Sequence, residues 1–437
     1  MKVLKFGSSA VATAEKIKEV AKIAASTKGE NNIIVLSAIS GTTDTLIEIA
    51  DYLYKKNPDG AKELINSLER SYLNLVKDLF SNETQITLLG KELRSRFDEI
   101  RDLSKDIFTL FEEKKIVAQG ELLLSLLFTE YLKAQGLNVK NIQALNVMRK
   151  DKNEEPDTVF ITKNLSNQIE VAGKADLYIT EGFICRNAYN EIDNLGKGGS
   201  DYSASLIGAA LHADEIQIWS DKNAICNIDP TIVKEAHPVD KLNFEEAEEL
   251  AYFSAKTLHP TCLAPAKLEN IPVRLLNTSA PEAAGTLISS DYASNHVEVL
   301  AAKDHITSIR IKSGRMLFAH GFLRRVFEVF EQYKTSIDMI TTSEVGISIT
   351  IDNDRNLDEI VNDLKKFGTV TTNKEMTIIC AVGDLTDQIG FQAQIVNALS
   401  DVPIVMISYG ASANNISFLI HSSDKEKALH ALSQKMF

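Results

Sequence analysis

The segment Asn194-Leu195-Gly196-Lys197-Gly198-Gly199-Ser200-Asp201-Tyr202-Ser203 gathers three glycines, an ammonium, a carboxylate and hydroxyls just ahead of a helix-like apolar stretch. Closely spaced glycines let the backbone take positive φ and approach a ligand, and the first amides of a following helix favour an anion. The segment therefore reads as a phosphate cradle, although a glycine-rich turn capped by Ser200 or Asp201 would explain such a loop in isolation. Other chemistry-bearing residues are scattered along the chain. They are Lys5, Ser37 with Ser40-Gly41-Thr42-Thr43-Asp44, Glu121 after Gln119-Gly120, Ser220-Asp221 after Trp219, Asp229-Pro230, and Lys256 before His259-Pro260. Each has a plainer explanation. Lys5 can snorkel, Ser40 or Thr43 can cap a helix, and Glu121, read as opening an apolar helix, can gain about 0.3–1 kcal/mol from the helix dipole. What makes a shared site credible is that they fall in successive loops at strand ends.

The elements that would position them follow from periodicity. Val3-Leu4-Lys5-Phe6 and Ile33-Ile34-Val35-Leu36 are short apolar runs, separated by Ile17, Val20, Ala21 and Ala24 at helical spacing after Thr13, a candidate N-cap. This β-α-β unit implies a parallel sheet covered by helices, with ligands at the carboxyl ends of its strands. Residues 61–115 lack proline and repeat apolar residues at three and four, so a helical excursion is expected there, its charges a solvated face. Further strands are expected at Asp176-Leu177-Tyr178-Ile179-Thr180 and Glu215-Ile216-Gln217-Ile218-Trp219. Beyond Val297 a repeat appears. Gly321-Phe322 and Gly390-Phe391 each open a helix, and Ile337 to Thr341 matches Ile404 to Ser408, as Ile347-Ser348-Ile349 matches Ile416-Ser417-Phe418. Two ferredoxin-like modules explain this, as a dimerisation platform or as a ligand sensor.

At 437 residues, 44% hydrophobic and 24% charged, the chain is globular and too long for one ordinary core. A formal net charge of -13 argues against nucleic-acid or membrane surfaces as general partners, because both are anionic. The amino terminus lacks the apolar run of a signal peptide, so a cytoplasmic location is expected. Cys185, Cys226, Cys262 and Cys380 lack zinc or redox spacing and read as reduced thiols; no transition-metal site is expected. His259 reads as a helix end.

Taken in order, these segments resemble the aspartate kinases of the amino-acid kinase family. The likeness runs through Lys5-Phe6-Gly7-Ser8-Ser9, Ser37-Ala38 to Thr43, Gly120-Glu121, Glu181-Gly182-Phe183, the glycine loop, Trp219-Ser220-Asp221 and Ala255-Lys256-Thr257-Leu258-His259-Pro260. It continues in Gly321-Phe322-Leu323, Ile340-Thr341-Thr342-Ser343-Glu344 and Ser408-Tyr409-Gly410-Ala411-Ser412. It implies an α/β catalytic domain over 1–292, a mostly parallel sheet between helices with a helical insertion at about 59–116. A tandem ACT region of ferredoxin-like α+β modules would follow at 293–437, the first at about 305–375 and the second at about 293–304 plus 376–437.

The implied reaction passes the γ-phosphoryl group of ATP to the β-carboxylate of L-aspartate, the entry step to lysine, threonine and methionine, with Mg²⁺ held mainly through nucleotide phosphates. A carboxylate is already nucleophilic, so the work is to bring two anions together and stabilise charge on the phosphoryl oxygens. By the resemblance Lys5 and Asp201 are catalytic, while Thr43, Glu121, Phe183, Lys197 and Ser200 hold aspartate, Glu121 on its α-ammonium. Lys5, Gly7, Ser8, Ser37, Gly199, Ser220, Asp221 and Lys256 hold ATP. The ACT modules imply homodimers and an amino-acid effector, lysine first and threonine second. The implied effector residues are Met316, Gly321, Phe322, Leu323, Asp338, Thr342, Ser343 and Glu344, with Asp338 on an ε-ammonium and Glu344 on an α-ammonium.

Several positions depart from the family pattern. Ser8 stands for a glycine, Ala10 for a serine, Lys197 and Thr231 for arginines, Cys226 for an aromatic or methionine, and Phe318-Ala319 for the His and Ser of the lysine-sensitive pattern. Lys222 is a candidate replacement for the arginine absent at Thr231. These departures leave two alternatives open: a related kinase with another carboxylate or carbamate acceptor, and a catalytically weakened amino-acid sensor.

Overall fold

The computed structural model describes residues 1–437 except 28, 30, 105–106, 223, 254–259, 293–295, 315–319 and 386–389. Lys256 and His259, Met316, and the Phe318-Ala319 pair therefore lie outside the described residues. The chain divides into two compact units, Met1–Ile225 with Lys256–Asp291, and Cys226–Ala255 with Tyr292–Phe437.

Within the first unit, neighbouring strands of the sheet are, in order, Val139–Asn141, Leu177–Glu181, Asn32–Leu36, Lys2–Phe6, Glu215–Ser220, Val273–Asn277 and Thr286–Ile288. Its pairings are parallel except for the last, where Thr286–Ile288 runs antiparallel to Val273–Asn277. Lys2–Phe6 lies between Asn32–Leu36, its successor in the chain, and Glu215–Ser220, so the direction of winding reverses at the first strand. A crevice at the carboxyl ends of such strands is where open α/β sheets bind ligands.

The helix Ala14–Ser26 follows Thr13, whose side chain accepts from the Lys16 amide, and its apolar stripe Ile17, Val20, Ala21 and Ala24 is buried. The expected helical excursion forms Pro58–Leu79, Glu83–Leu103 and the start of Leu110–Ala134. Its apolar faces join the core of the sheet: Leu68, Tyr72, Leu93 and Phe97 belong to the same buried cluster as Leu4, Phe6, Ile34 and Leu36.

One expected boundary is corrected here. Leu110–Ala134 starts at Thr109, where a capping box with Glu112 closes the helix end, so Glu121 lies in mid-helix and not at a first turn. Gln119-Gly120 imitates a helix start because Gly120 serves another purpose. A Cβ there would meet the Ala38 Cβ at 3.0 Å, so the glycine admits the loop after the second strand against the helix.

In the second unit one six-stranded antiparallel sheet carries both repeats, in the order Ile340–Ser343, Gly346–Ile351, Val297–Lys312, Thr369–Gly383, Asn415–His421 and Ile404–Tyr409. The two central strands are long enough to serve both modules. Val297–Lys312 pairs with Gly346–Ile351 from Thr307 onward, and Thr369–Gly383 pairs with Asn415–His421 from Met376 onward, with register shifts on Val297–Lys312 between Lys303 and Ser308. The helices Phe322–Gln332 and Phe391–Ala398 begin after Gly321 and Gly390, both left-handed, and Met339 and Met406 from the matching strands share one small core. Residues 226–255 group with this unit by their contacts. Ile228 and Val233 bury in its core, and the Asn227 carbonyl accepts from the Leu300 amide. No described helix is long and apolar enough to cross a membrane.

Candidate active site

The carboxyl ends of five neighbouring strands are stitched together by backbone hydrogen bonds. The amide of Gly182 donates to Leu36, that of Ser37 to Phe6 at 3.2 Å, that of Gly7 to Trp219 at 3.0 Å, and that of Thr278 to Ser220 at 2.8 Å. Residues far apart in sequence thus form one rim at the carboxyl edge of the sheet. Gly7, Ser37, Glu121 and Gly199 are buried, and Ser8 is exposed.

The glycine loop closes on this rim. Gly196 and Gly198 have φ of 73° and 75°, and Gly198 opens the helix Gly199–Leu211 without a side-chain cap, so neither Ser200 nor Asp201 spends its oxygen on capping. Asp201, in the first turn, places Oδ1 2.5 Å from Lys5 Nζ, with both side chains largely buried. The helix fits because Gly182 and Gly199 lack side chains: a Cβ on Gly182 would lie 2.7 Å from the Ser200 Cβ, and one on Gly199 would lie 2.9 Å from Phe183 Cδ2. Phe183 is itself left-handed, at φ 64°, and its amide donates to Ser203 Oγ at 3.1 Å. Nothing in the sequence signals that strained phenylalanine. Lys197 stands exposed in the loop.

Glu121 is 3% exposed and accepts from the Ala38 amide at 3.2 Å, while its second oxygen has no partner among the described residues. Burial, and secondarily the charge of nearby Glu181, push its carboxyl up to about 8, although the Ala38 amide pulls the other way. A buried carboxyl with a spare oxygen is suited to an ammonium. Thr43 is half-buried in the first turn of Thr42–Tyr54, a helix opened by Gly41 at φ 81° without a side-chain cap, so the capping role suggested for Ser40 or Thr43 is not used.

Lys114, Ser125, Lys150 and Asp193 have no counterpart among the residues expected from the sequence. Lys114, Glu121 and Ser125 share one stripe of Leu110–Ala134 and tie it, in turn, to Asp193, the Ala38 amide and Glu181. Asp193, 3% exposed, also meets Lys150 at 2.7 Å, and these two lysines hold its carboxyl below the ordinary value despite burial. The spacing i, i+7, i+11 of polar residues in an apolar helix was the available signal.

Ser220 ends the strand Glu215–Ser220, and Asp221 follows it. Asp221 faces Lys16 at 3.2 Å, and Lys16 also donates to the Ser9 carbonyl at 2.9 Å. A hydrogen bond from Ser9, reinforced by Lys16, lowers the Asp221 carboxyl below its usual range. Thr231 turns its hydroxyl to Asp229 Oδ1 at 2.7 Å, within the second unit.

In that unit Asp338 is met from within the chain. Lys303 Nζ lies 3.0 Å from its Oδ1 and 2.8 Å from Asp352, the Tyr252 hydroxyl donates to the same Oδ1, and the Lys303 ammonium sits 4.2 Å above the Tyr252 ring. Burial raises the Asp338 carboxyl, with Lys303 opposing. Gly321, Thr342, Ser343 and Glu344 are at least partly exposed, Leu323 is 38% exposed, and Phe322 is buried in the module core. The Asp338 amide donates to Thr350 while Ser343 pairs with Gly346, so Asp338 and Glu344 occupy opposite ends of one hairpin. At about 3.3 Å per residue they stand roughly 20 Å apart within a chain, too far to grip one lysine together.

Residues 1–277 match the amino acid kinase family and residues 379–436 the ACT domain. Aspartokinase 1, chloroplastic, of Arabidopsis thaliana is 32% identical over 461 residues, covering 100% of this chain and 80% of the relative. Among solved structures, E. coli aspartokinase III with aspartate and ADP (R-state) superposes with a TM-score of 0.85 at 29% identity, covering 100% of both chains. The same enzyme with lysine and aspartate (T-state) gives 0.86 at 30% identity, covering 100% of this chain and 99% of that one. With the strand-end rim, the Lys5–Asp201 pair and the double antiparallel module in place, the chain belongs to the amino acid kinase family and, within it, to the aspartokinases.

Proposed function

We propose that Lys5 and Asp201 form the phosphoryl-transfer centre of this aspartokinase. The chain transfers the γ-phosphoryl group of ATP to the β-carboxylate of L-aspartate, giving 4-phospho-L-aspartate and ADP, under amino-acid feedback. The observation that carries the assignment of the centre is the 2.5 Å contact of Lys5 with Asp201 at the rim of converging strand ends. Asp201 holds the Lys5 ammonium where it neutralises the transferring phosphate, in a cradle shaped by Gly7, Ser8, Ser37 and Gly199. Glu121 takes the α-ammonium of aspartate, Lys197 a carboxylate, and Thr43, Phe183 and Ser200 complete that pocket. Ser220, Asp221 and Lys256 take the nucleotide. Mg²⁺ would be held mainly through the nucleotide phosphates, with water supplying most of its other ligands.

Asp338 takes the ammonium of an amino-acid effector, lysine before threonine. Because Glu344 is out of reach of the same molecule within one chain, the site is completed by a second copy, through homodimers of the ACT modules. The enzyme acts in the cytoplasm. A coupled ADP-release assay with aspartate and MgATP tests the catalytic reading, and aspartate-dependent turnover is the expected result. Heat of lysine binding without turnover would favour the sensor instead.

A further inference from the structure

One buried acid stands at the rim without a role in the reaction as described. Glu181, 1% exposed, ends the strand Leu177–Glu181, and both its oxygens are engaged. Oε1 accepts from Ser125 Oγ at 2.6 Å and from Asn141 Nδ2 at 3.4 Å, and Oε2 accepts from the Ala144 amide at 2.7 Å. Ser125 lies one helical turn beyond Glu121, so this carboxylate anchors the turn that presents Glu121, together with the Lys114–Asp193 pair and the buried apolar face of the helix. Among the described residues, Glu121 otherwise faces the Ala38 amide and the Tyr72 phenol, whose ionisation burial and, after it, the Glu121 charge resist, and Tyr72 in turn bonds Thr42 at 3.2 Å. Among those same residues, no side-chain cation is paired with either acid.

We propose that Glu181 is a positioning residue for Glu121. Through Ser125 it sets where the Glu121 carboxyl stands, and its like charge adds to the effect of burial in holding that carboxyl back from ionising until an α-ammonium arrives. The role rests on reading Glu121 as the seat of the amino-acid substrate's ammonium. It would make aspartate capture, and not nucleotide binding, the step that Glu181 controls.

Glu181→Gln separates charge from shape, because its carbonyl can accept from the Ala144 amide while its NH₂ donates to Ser125 Oγ. Its acidic limb in a plot of 1/KM for aspartate against pH should move down by about half a unit or more, with KM for ATP within about twofold of the parent. Ser125→Ala releases the helix but keeps the charge. It should raise KM for aspartate about three- to tenfold, leaving the limb in place and ATP unaffected. A Glu181→Gln profile that superimposes on the parent's, or a Ser125→Ala variant whose two KM values rise together, overturns the role. Glu121→Gln identifies the source of a failure. If it binds aspartate as the parent does, the seat itself is wrong; if it binds weakly while Glu181→Gln shows no shift, only the positioning role falls.

Discussion

Lys5 and Asp201 come from distant parts of the kinase segment yet meet at 2.5 Å, one at the end of the central strand and one in the first turn of the helix after the glycine loop. Without its partner, a largely buried ammonium or carboxylate loses most of its compensation. The pair therefore aims the cation and offsets the cost of taking both groups away from bulk water. Lys5→Ala should lower kcat by about 10²–10³ with a smaller change in KM for aspartate, and Asp201→Asn should fall in the same direction. Steady-state ADP release measures both, and a Lys5→Ala enzyme with parental kcat would remove Lys5 from the centre.

Glu121 makes the unliganded enzyme sensitive to pH. Its carboxyl is raised from an ordinary 4.5 to about 8, so the folded chain keeps a proton that the unfolded chain releases. Stability from this group is full below about pH 4.5 and declines as pH rises towards 8. Glu121→Gln should be more stable than the parent at pH 8.5 by about 2–4 kcal/mol, the gap closing near pH 5. Urea denaturation at the two pH values checks this.

At Lys197 a flexible point charge stands in the glycine loop where a forked guanidinium can bind a carboxylate through two hydrogen bonds. Lys197→Arg should lower KM for aspartate about three- to tenfold with kcat little changed. An unchanged KM would mean that Lys197 does not touch the substrate.

Gly182 is expected to tolerate no side chain. A Cβ at this position would sit 2.7 Å from Ser200, inside the first turn that carries Asp201, so Gly182→Ala must push that turn outward. A loss of about 1–3 kcal/mol in stability and a tenfold or greater fall in kcat should accompany the change. Thermal denaturation and turnover measured on the same preparation test the two together.

Lys303 is the cation that keeps Asp338 compensated, the aspartate side chain being 1% exposed. Lys303→Ala should destabilise the protein by about 2–4 kcal/mol, since it leaves the buried Asp338 carboxylate facing Asp352 with no cation between them. Denaturant titration gives the value. Calorimetry with lysine should show binding to the parent that disappears in Asp338→Ala, and binding retained in that variant would place the effector elsewhere.

Much of this was legible in the residues themselves. Apolar runs with period-two or 3.6-residue spacing fix strands and helices locally, and glycines needing positive φ mark loops wherever they fall, so the first β-α-β unit, the glycine loop and the doubled module could be read directly. The chain order of motifs was enough for the family. Tertiary structure alone decided which distant side chains share a dielectric environment. It buried Glu121 in mid-helix beside Glu181, joined Lys114 and Lys150 on Asp193, paired Asp338 with the chain's own Lys303, and grouped residues 226–255 with the second unit. Desolvation and Coulomb energy depend on distance in space, and spacing along the chain does not encode that distance once strands cross over.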